Sequence, residues 1–286
     1  MKTLLVILLF VLSPALTGAT PAPPGGEVVL TARDVVSALD IEQAIKVATD
    51  YGTRPGIVTL DARDGPFTYD HPDKSVNIFY SAVTLRSLNG ATITNCDDGV
   101  FFDDMPLQDV AVRGIRFRCA GSGILAGWNR YEVRRVAIQD NTFDVQNFGI
   151  GIALGRDLAI VRNVVRGAGA DAINLGRPTG ARILGNDLHG NQGVLLDGSS
   201  GSQVTGNRID ARNQGVVLQE GCDDNTVDGN RISGVHSAGI VFAGDSSGNK
   251  VHGNRVTCAS GAACLAVDAS AAAREANRIS GNKIAQ

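Results

Sequence analysis

Four aspartates, Asp97, Asp98, Asp103 and Asp104, bracket the apolar run Val100-Phe101-Phe102. Carboxylates grouped in this way can hold a hard cation such as Ca²⁺ through oxygen ligands, or divide acid and base duties between them. They are the candidate catalytic residues of the chain, and turn-capping acids at strand ends are the alternative reading. A second group is Trp128, Arg130, Tyr131, Arg134 and Arg135. Aromatic faces there would stack on sugar rings, and guanidinium forks would pair with carboxylate or sulfate. A third group is dispersed: Arg208, Arg231, Arg255 and Lys283 each follow an Asn. Regular cations of this kind would bind an anionic polymer, unless they form a solvated edge paired with Asp210 and Asp228. His71, His189, His236 and His252 share no metal-ligand spacing, so no resident metal site and no cofactor is expected beyond Ca²⁺ at the aspartates.

What would position these groups is a repeat. The pattern apolar-x-x-Asn-x-apolar occurs as Ile138…Asn141…Phe143 and Ile160…Asn163…Val165, then around Asn186, Asn207, Asn230, Asn254 and Asn282. Successive Asn are 22, 23, 21, 23, 24 and 28 residues apart. A degenerate copy, Val112-Arg-Gly-Ile115-Arg-Phe117, precedes them, and Asn277-Arg-Ile279 competes for the last register. Self-similarity at this period marks a solenoid. The coils alternate short apolar runs with Gly, Asn, Asp and Ser and contain no ten-residue helical stretch, so each reads as short strands and bends stacked in parallel. The recurring Asn is assigned to left-handed bends and to a hydrogen-bonded ladder along the stack.

A second motif, Gly-apolar-x-apolar, runs in phase: Gly99, Gly123, Gly151, Gly193, Gly215 and Gly239 open it, with Ala172 and Cys264 in the same place in two coils. Its middle residues, Phe101, Leu125, Ala153, Asn174, Leu195, Val217, Val241 and Ala266, are expected to face outward. Being mostly apolar, that column reads as a covered face and not as an acidic groove. The residue after each repeating Asn should also face outward, which aligns Arg208, Arg231, Arg255 and Lys283 with Arg116, Thr142, Val164 and Asp187 of earlier coils.

The chain has 286 residues, 43% hydrophobic and 19% charged, with a formal charge of −3, which points away from a nucleic-acid partner. Lys2, the apolar run Leu4–Leu12 and Thr17-Gly18-Ala19 read as a signal peptide over 1–19, with no membrane span after its cleavage. Residues 20–33 read as a linker and first strand, and 34–286 as one β-helix domain. Ile41, Ala44, Ile45 and Ala48 have helical spacing and predict a helix that plugs the N-terminal end. Val58-Thr-Leu60 and Val83-Thr-Leu85 are expected in the first coils. Export permits disulfides. One coil of separation pairs Cys96 with Cys119, a short loop pairs Cys258 with Cys264, and Cys222 is left as a thiol.

The Ile41-Glu-Gln-Ala-Ile45 helix, Gly56-Ile-Val-Thr-Leu60, Gly65-Pro-Phe-Thr-Tyr69 and the Asn-rich coils resemble the pectin-lyase-like superfamily, and the repeats resemble proteins of the NosD type. The resemblance covers roughly 34–286 and implies an all-β fold, a single-stranded right-handed parallel β-helix with an N-terminal capping helix. It does not carry over a catalytic site. The Asp pairs lack the hydrolases' Asn-Thr-Asp, Gly-His-Gly and Arg-Ile-Lys. Trp128 is outside a Trp-Ile-Asp-His motif, and Asp70-His71-Pro72-Asp73 reorders the epimerases' Asp-Pro-His-Asp. Three readings stay open. The chain is a secreted or periplasmic module that binds extracellular, anionic polysaccharide or serves at a surface. It is a polysaccharide lyase, epimerase or hydrolase with a divergent site. Or it is a NosD-like periplasmic accessory protein.

Overall fold

The structure, a computed structural model, describes residues 26–71, 75–103, 105–126, 131–259, 261–268 and 276–285. The expected signal peptide, part of the linker, and Asp73, Asp104, Trp128 and Arg130 lie outside the described residues. β1 (Glu27–Thr31) leads into α1 (Ala38–Ala48), and β2 (Gly56–Asp61) follows and pairs with β1 in parallel. From there the chain coils as a right-handed parallel β-solenoid of about 9 turns.

Three faces repeat in each coil. Face A is an 11-stranded sheet running from β1 and β2 to Arg278–Ser280. Face B runs from Phe67–Thr68 to Lys283–Ala285, and face C from Val76–Ile78 to Ala263–Asp268. In three coils one bent strand spans B and C: Val164–Gly176, Asp187–Asp197 and Arg208–Gln219. Each short strand of A and B sends its middle residue inward. Ile138, Ile160, Ile183, Val204, Val227 and Val251 from A, and Phe117, Phe143, Val165, Leu188, Ile209 and Ile232 from B, are all buried. Phe117 and Phe143 stack with ring centroids 5.4 Å apart.

The Asn ladder occupies the corner between A and B. Asn163 donates from its backbone N–H (2.8 Å) and Nδ2 (3.1 Å) to Asn186 Oδ1, and from Nδ2 to the Ile138 carbonyl (2.8 Å). The same set recurs at Asn141, Asn186, Asn207, Asn230 and Asn254. The left-handed bend, however, is not at Asn. It falls one residue earlier, at Asp140, Arg162, Gly185, Gly206, Gly229, Gly253 and Gly281, all with φ between 52° and 66°. Glycine suits that residue because it adopts this φ without a Cβ clash. Asn is instead the side chain that satisfies the corner's buried backbone groups.

A second ladder was not foreseen. Ser202 N–H donates to Asn225 Oδ1 (2.8 Å), Asn225 N–H to Asn249 Oδ1 (2.9 Å), and Asn249 N–H to Asn277 Oδ1 (2.9 Å). It precedes face A. Asn277 and Asn282 therefore do not compete: each ends a different ladder.

One register is corrected. The third Gly-apolar strand begins at Gly149, and Ile150-Gly151-Ile152 pairs with Ile124-Leu125-Ala126. Gly151 takes the outward place expected of Ala153. A Cβ at Gly149 would collide with Val165 and the Ala172 carbonyl, whereas at Gly151 it would crowd only the end of the Leu125 side chain.

α1 buries Ile41, Ala44, Ile45 and Ala48 in the main core against β1, β2 and Val76–Ile78. Asp40 accepts from the N–H groups of Val36 (3.0 Å) and Ser37 (2.9 Å), which stabilises the helix start. Glu42 accepts from the backbone and side chain of Asn77 (2.9 and 2.7 Å), tying α1 to face C. The disulfides are Cys96–Cys119, linking adjacent coils, and Cys258–Cys264; Cys222 is a buried thiol.

Candidate functional site

Face B carries the dispersed cations. Arg116, Thr142, Val164, Asp187, Arg208, Arg231, Arg255 and Lys283 form one column in register. Adjacent members are one strand spacing apart, about 4.8 Å. Arg208, Arg231, Arg255 and Lys283 are exposed, and Arg116 is half-buried. Arg208 reaches Asp187 at 3.7 Å. Asp210 and Asp228 do not pair with the arginines: His189 lies 3.6 Å from Asp210, and His252 lies 2.9 Å from Asp228. Among the described residues no carboxylate lies within ion-pair distance of Arg231, Arg255 or Lys283. Like charges directly opposed on neighbouring strands repel. An unneutralised cation column is thus a local cost that an anionic ligand would relieve.

Two residues further along each strand lies a second outward column. Arg118 pairs in register with Thr94 on one side and Asp144 on the other, and Asp144 with Arg166. The Arg118 Nε to Asp144 Oδ2 distance is 3.5 Å. A cavity of about 600 Å³ opens beside these residues, with the Cys96–Cys119 disulfide among its walls. This site was missed. The repeat aligns its residues, each directly following the motif's last apolar residue (Phe117, Phe143, Val165), but the mixed Arg and Asp of that column form no run of like charge to single it out.

The early aspartates are divided between the two ends of one strand. Asp97 and Asp98 precede Val100–Phe102 and Asp103 follows it. Asp98 accepts from the Ser122 N–H (2.6 Å), and burial outweighs that bond to hold its carboxyl above the usual range. Among the described residues no three His, Cys, Asp or Glu side chains converge to hold a metal. Asp171, which the sequence did not single out, is buried between faces B and C; burial raises its carboxyl, while Asn174 Nδ2 donates to it at 2.7 Å.

The 128–135 group is only partly described. Tyr131 is exposed. Arg134 pairs with Glu132 (2.6 Å), and Arg135 pairs with Asp109 (2.7 Å) and donates to Gln108 Oε1 (2.9 Å). Both guanidiniums are already neutralised, and Arg135 holds the Asp109 carboxyl below its ordinary range. On face C the outward apolar column is real. Val217 and Val241 are buried with Ala238 in a small cluster flanked by Leu195 and Ala243, so neighbours on the same face shield them. Cys222 is pushed up to about 11, chiefly by burial, and donates to the Leu196 and Gln219 carbonyls (3.3 and 3.1 Å). A neutral, bonded thiol of this kind is a poor nucleophile.

Several solved structures align with the chain, and one above a TM-score of 0.5 shares its fold. The Dettilon tailspike protein aligns with a TM-score of 0.54 at 12% identity, over 90% of this chain; the chain spans 61% of that protein's length. The periplasmic alginate epimerase AlgG aligns at 0.45 and 16%, over 91% of this chain and 85% of its own. The A-module of the Azotobacter vinelandii mannuronan C-5 epimerase AlgE6 aligns at 0.38 and 15%, over 90% and 99%. No curated protein sequence matches the chain significantly. The family of periplasmic copper-binding proteins (NosD) matches residues 87–258, the stretch that holds most of the Asn-ladder coils. By that match, and by its right-handed parallel β-helix, the chain belongs to the NosD family.

Proposed function

We propose that this protein is a periplasmic or secreted β-helix that binds anionic polysaccharide along face B. The observation that carries the reading is the exposed Arg231–Arg255–Lys283 column, in register and without carboxylate partners among the described residues. Guanidinium forks suit carboxylate and sulfate. Three exposed pairs at about 0.5–1 kcal/mol each give about 1.5–3 kcal/mol. A short oligosaccharide would therefore bind weakly, and affinity would come from polymer length through repeated engagement.

The family's description is periplasmic, and two disulfides fit an oxidising compartment. Among the described residues no helix is long and apolar enough to cross a membrane. Residues 1–19 supply the signal peptide in this reading, and α1 closes the N-terminal end of the core.

The family's description also names copper. Copper is taken by imidazole, thiolate and thioether. The chain has 4 His, 5 Cys and 2 Met. Four of the Cys are bridged, Cys222 is buried, and no three His, Cys, Asp or Glu side chains converge among the described residues. These residues do not fit a copper centre, and no step is derived through one.

The test is retention on immobilised alginate and polygalacturonate against neutral dextran in a salt gradient. The reading expects salt-sensitive retention on the two anionic matrices alone. Equal retention on dextran, or none anywhere, would remove it. The raised carboxyl of Asp98 is the observation that favours a divergent enzyme, and product formation lost on Asp98→Asn would establish that second reading.

A further inference from the structure

The cavity beside Arg118, Asp144 and Arg166 lies outside the cation column, and its chemistry differs. In the column, cations follow one another. In the cavity, two guanidiniums flank one carboxylate, and the Arg118–Asp144 contact at 3.5 Å neutralises one of them. Arg166 is exposed and has no carboxylate within ion-pair distance among the described residues. The net demand is for one anionic group.

The rest of the lining asks for more than an ion. Gln146 offers a side-chain donor and acceptor, and Asp144 can accept from hydroxyls. Ala120 contributes an exposed apolar wall, and the almost wholly buried Cys96–Cys119 disulfide beside it fixes that wall covalently across two coils. The volume, about 600 Å³, falls within the range of small-molecule sites and far exceeds an inorganic anion. A ring with one apolar face, several hydroxyls and one carboxylate or sulfate satisfies every wall.

We infer that this cavity is a subsite for a single anionic sugar unit, with Arg166 holding the anionic group, Asp144 and Gln146 the hydroxyls, and the apolar wall at Ala120 the ring. The inference rests on the anionic-glycan reading of face B and adds to it a place where sugar identity is read. Arg166 directly precedes the coil that carries Asp187 and His189, so a polymer lying on the column would reach the cavity by continuing toward the N-terminal coils.

The probe is glucuronate, titrated into the full protein and followed by ligand-detected NMR, with glucose and inorganic sulfate as comparators. Glucuronate should bind more tightly than either. Arg166→Ala should weaken it about tenfold or more, the loss of one charge-assisted pair. Arg166→Lys should recover part of that loss, and Arg182→Ala, an exposed arginine on face A outside both the column and the cavity, should leave it unchanged. Equal binding of sulfate or glucose, or glucuronate affinity untouched by Arg166→Ala, would overturn the subsite. Alginate retention of the double variant Arg231→Ala/Arg255→Ala tests the column separately, so a column that fails there leaves the cavity result standing.

Discussion

Replacing Asn207 by Ala should be among the most damaging single substitutions in the chain, and the cost can be counted from bonds. Asn207 Oδ1 accepts from the N–H and Nδ2 of Asn186, both at 2.9 Å. Its Nδ2 donates to the Ile183 carbonyl and to Asn230 Oδ1, again at 2.9 Å. Alanine deletes four bonds and leaves the Asn186 N–H buried without an acceptor. At about 1 kcal/mol per bond the loss is about 4 kcal/mol. Asn282 is the control. It also accepts twice from Asn254 and donates once to Val251, but it lies in the last coil and is partly exposed. Water replaces much of what alanine removes there, so the loss should be about 1 kcal/mol. Equilibrium urea unfolding measures both, and hydrogen exchange at the Asn186 N–H reports the orphaned donor directly. If Asn207→Ala costs no more than Asn282→Ala, the ladder is an ornament of the corner and not its support.

Three further outcomes follow from other parts of the molecule. Removing the inter-coil bridge with Cys96→Ala/Cys119→Ala opens a 23-residue separation and should cost about 3 kcal/mol, read as a lower urea midpoint. Asp171 binds its proton more tightly folded than unfolded, so its charge is a penalty above the folded pKa that fades as pH falls through that value. Asp171→Asn keeps the acceptor for Asn174 and should be more stable than the parent at pH 8, with the difference shrinking in acid; a constant difference would refute this. Purified protein equilibrated with copper and dialysed against a competing chelator should retain no stoichiometric metal by elemental analysis, and one retained equivalent would show that the ligand count has missed a centre.

How far the sequence could be read depends on whether a residue's role repeats. Asn141 to Asn282 recur because every coil needs the same corner satisfied, and the solenoid, the Cys96–Cys119 bridge and the outward place of Arg208, Arg231 and Arg255 all follow from that spacing, while Cys258–Cys264 follows from its short loop. The reading failed where two local patterns were equally good. Gly149-Ile-Gly-Ile and Gly151-Ile-Ala-Leu both fit the face C motif, and only the backbone of the next coil, against Gly149, decides between them. Asn277 and Asn282 looked like rivals because a linear scan has one slot per coil, whereas the coil has two polar corners. The pairing of Asp210 and Asp228 with His189 and His252 depends on side chains meeting across coils. The repeat aligns Arg118, Asp144 and Arg166, but the cavity beside them depends on three coils at once and their mixed charges do not single it out.

The central claim is that face B is a polyanion-binding surface, and charge reversal tests it most directly. Arg231→Glu/Arg255→Glu should leave circular dichroism and the urea midpoint near those of the parent, because both side chains are exposed and unpaired among the described residues. The account predicts that the parent elutes from immobilised alginate only as salt is raised, and that the variant passes through at low salt. A variant that folds normally and elutes at the parent's salt concentration would contradict it.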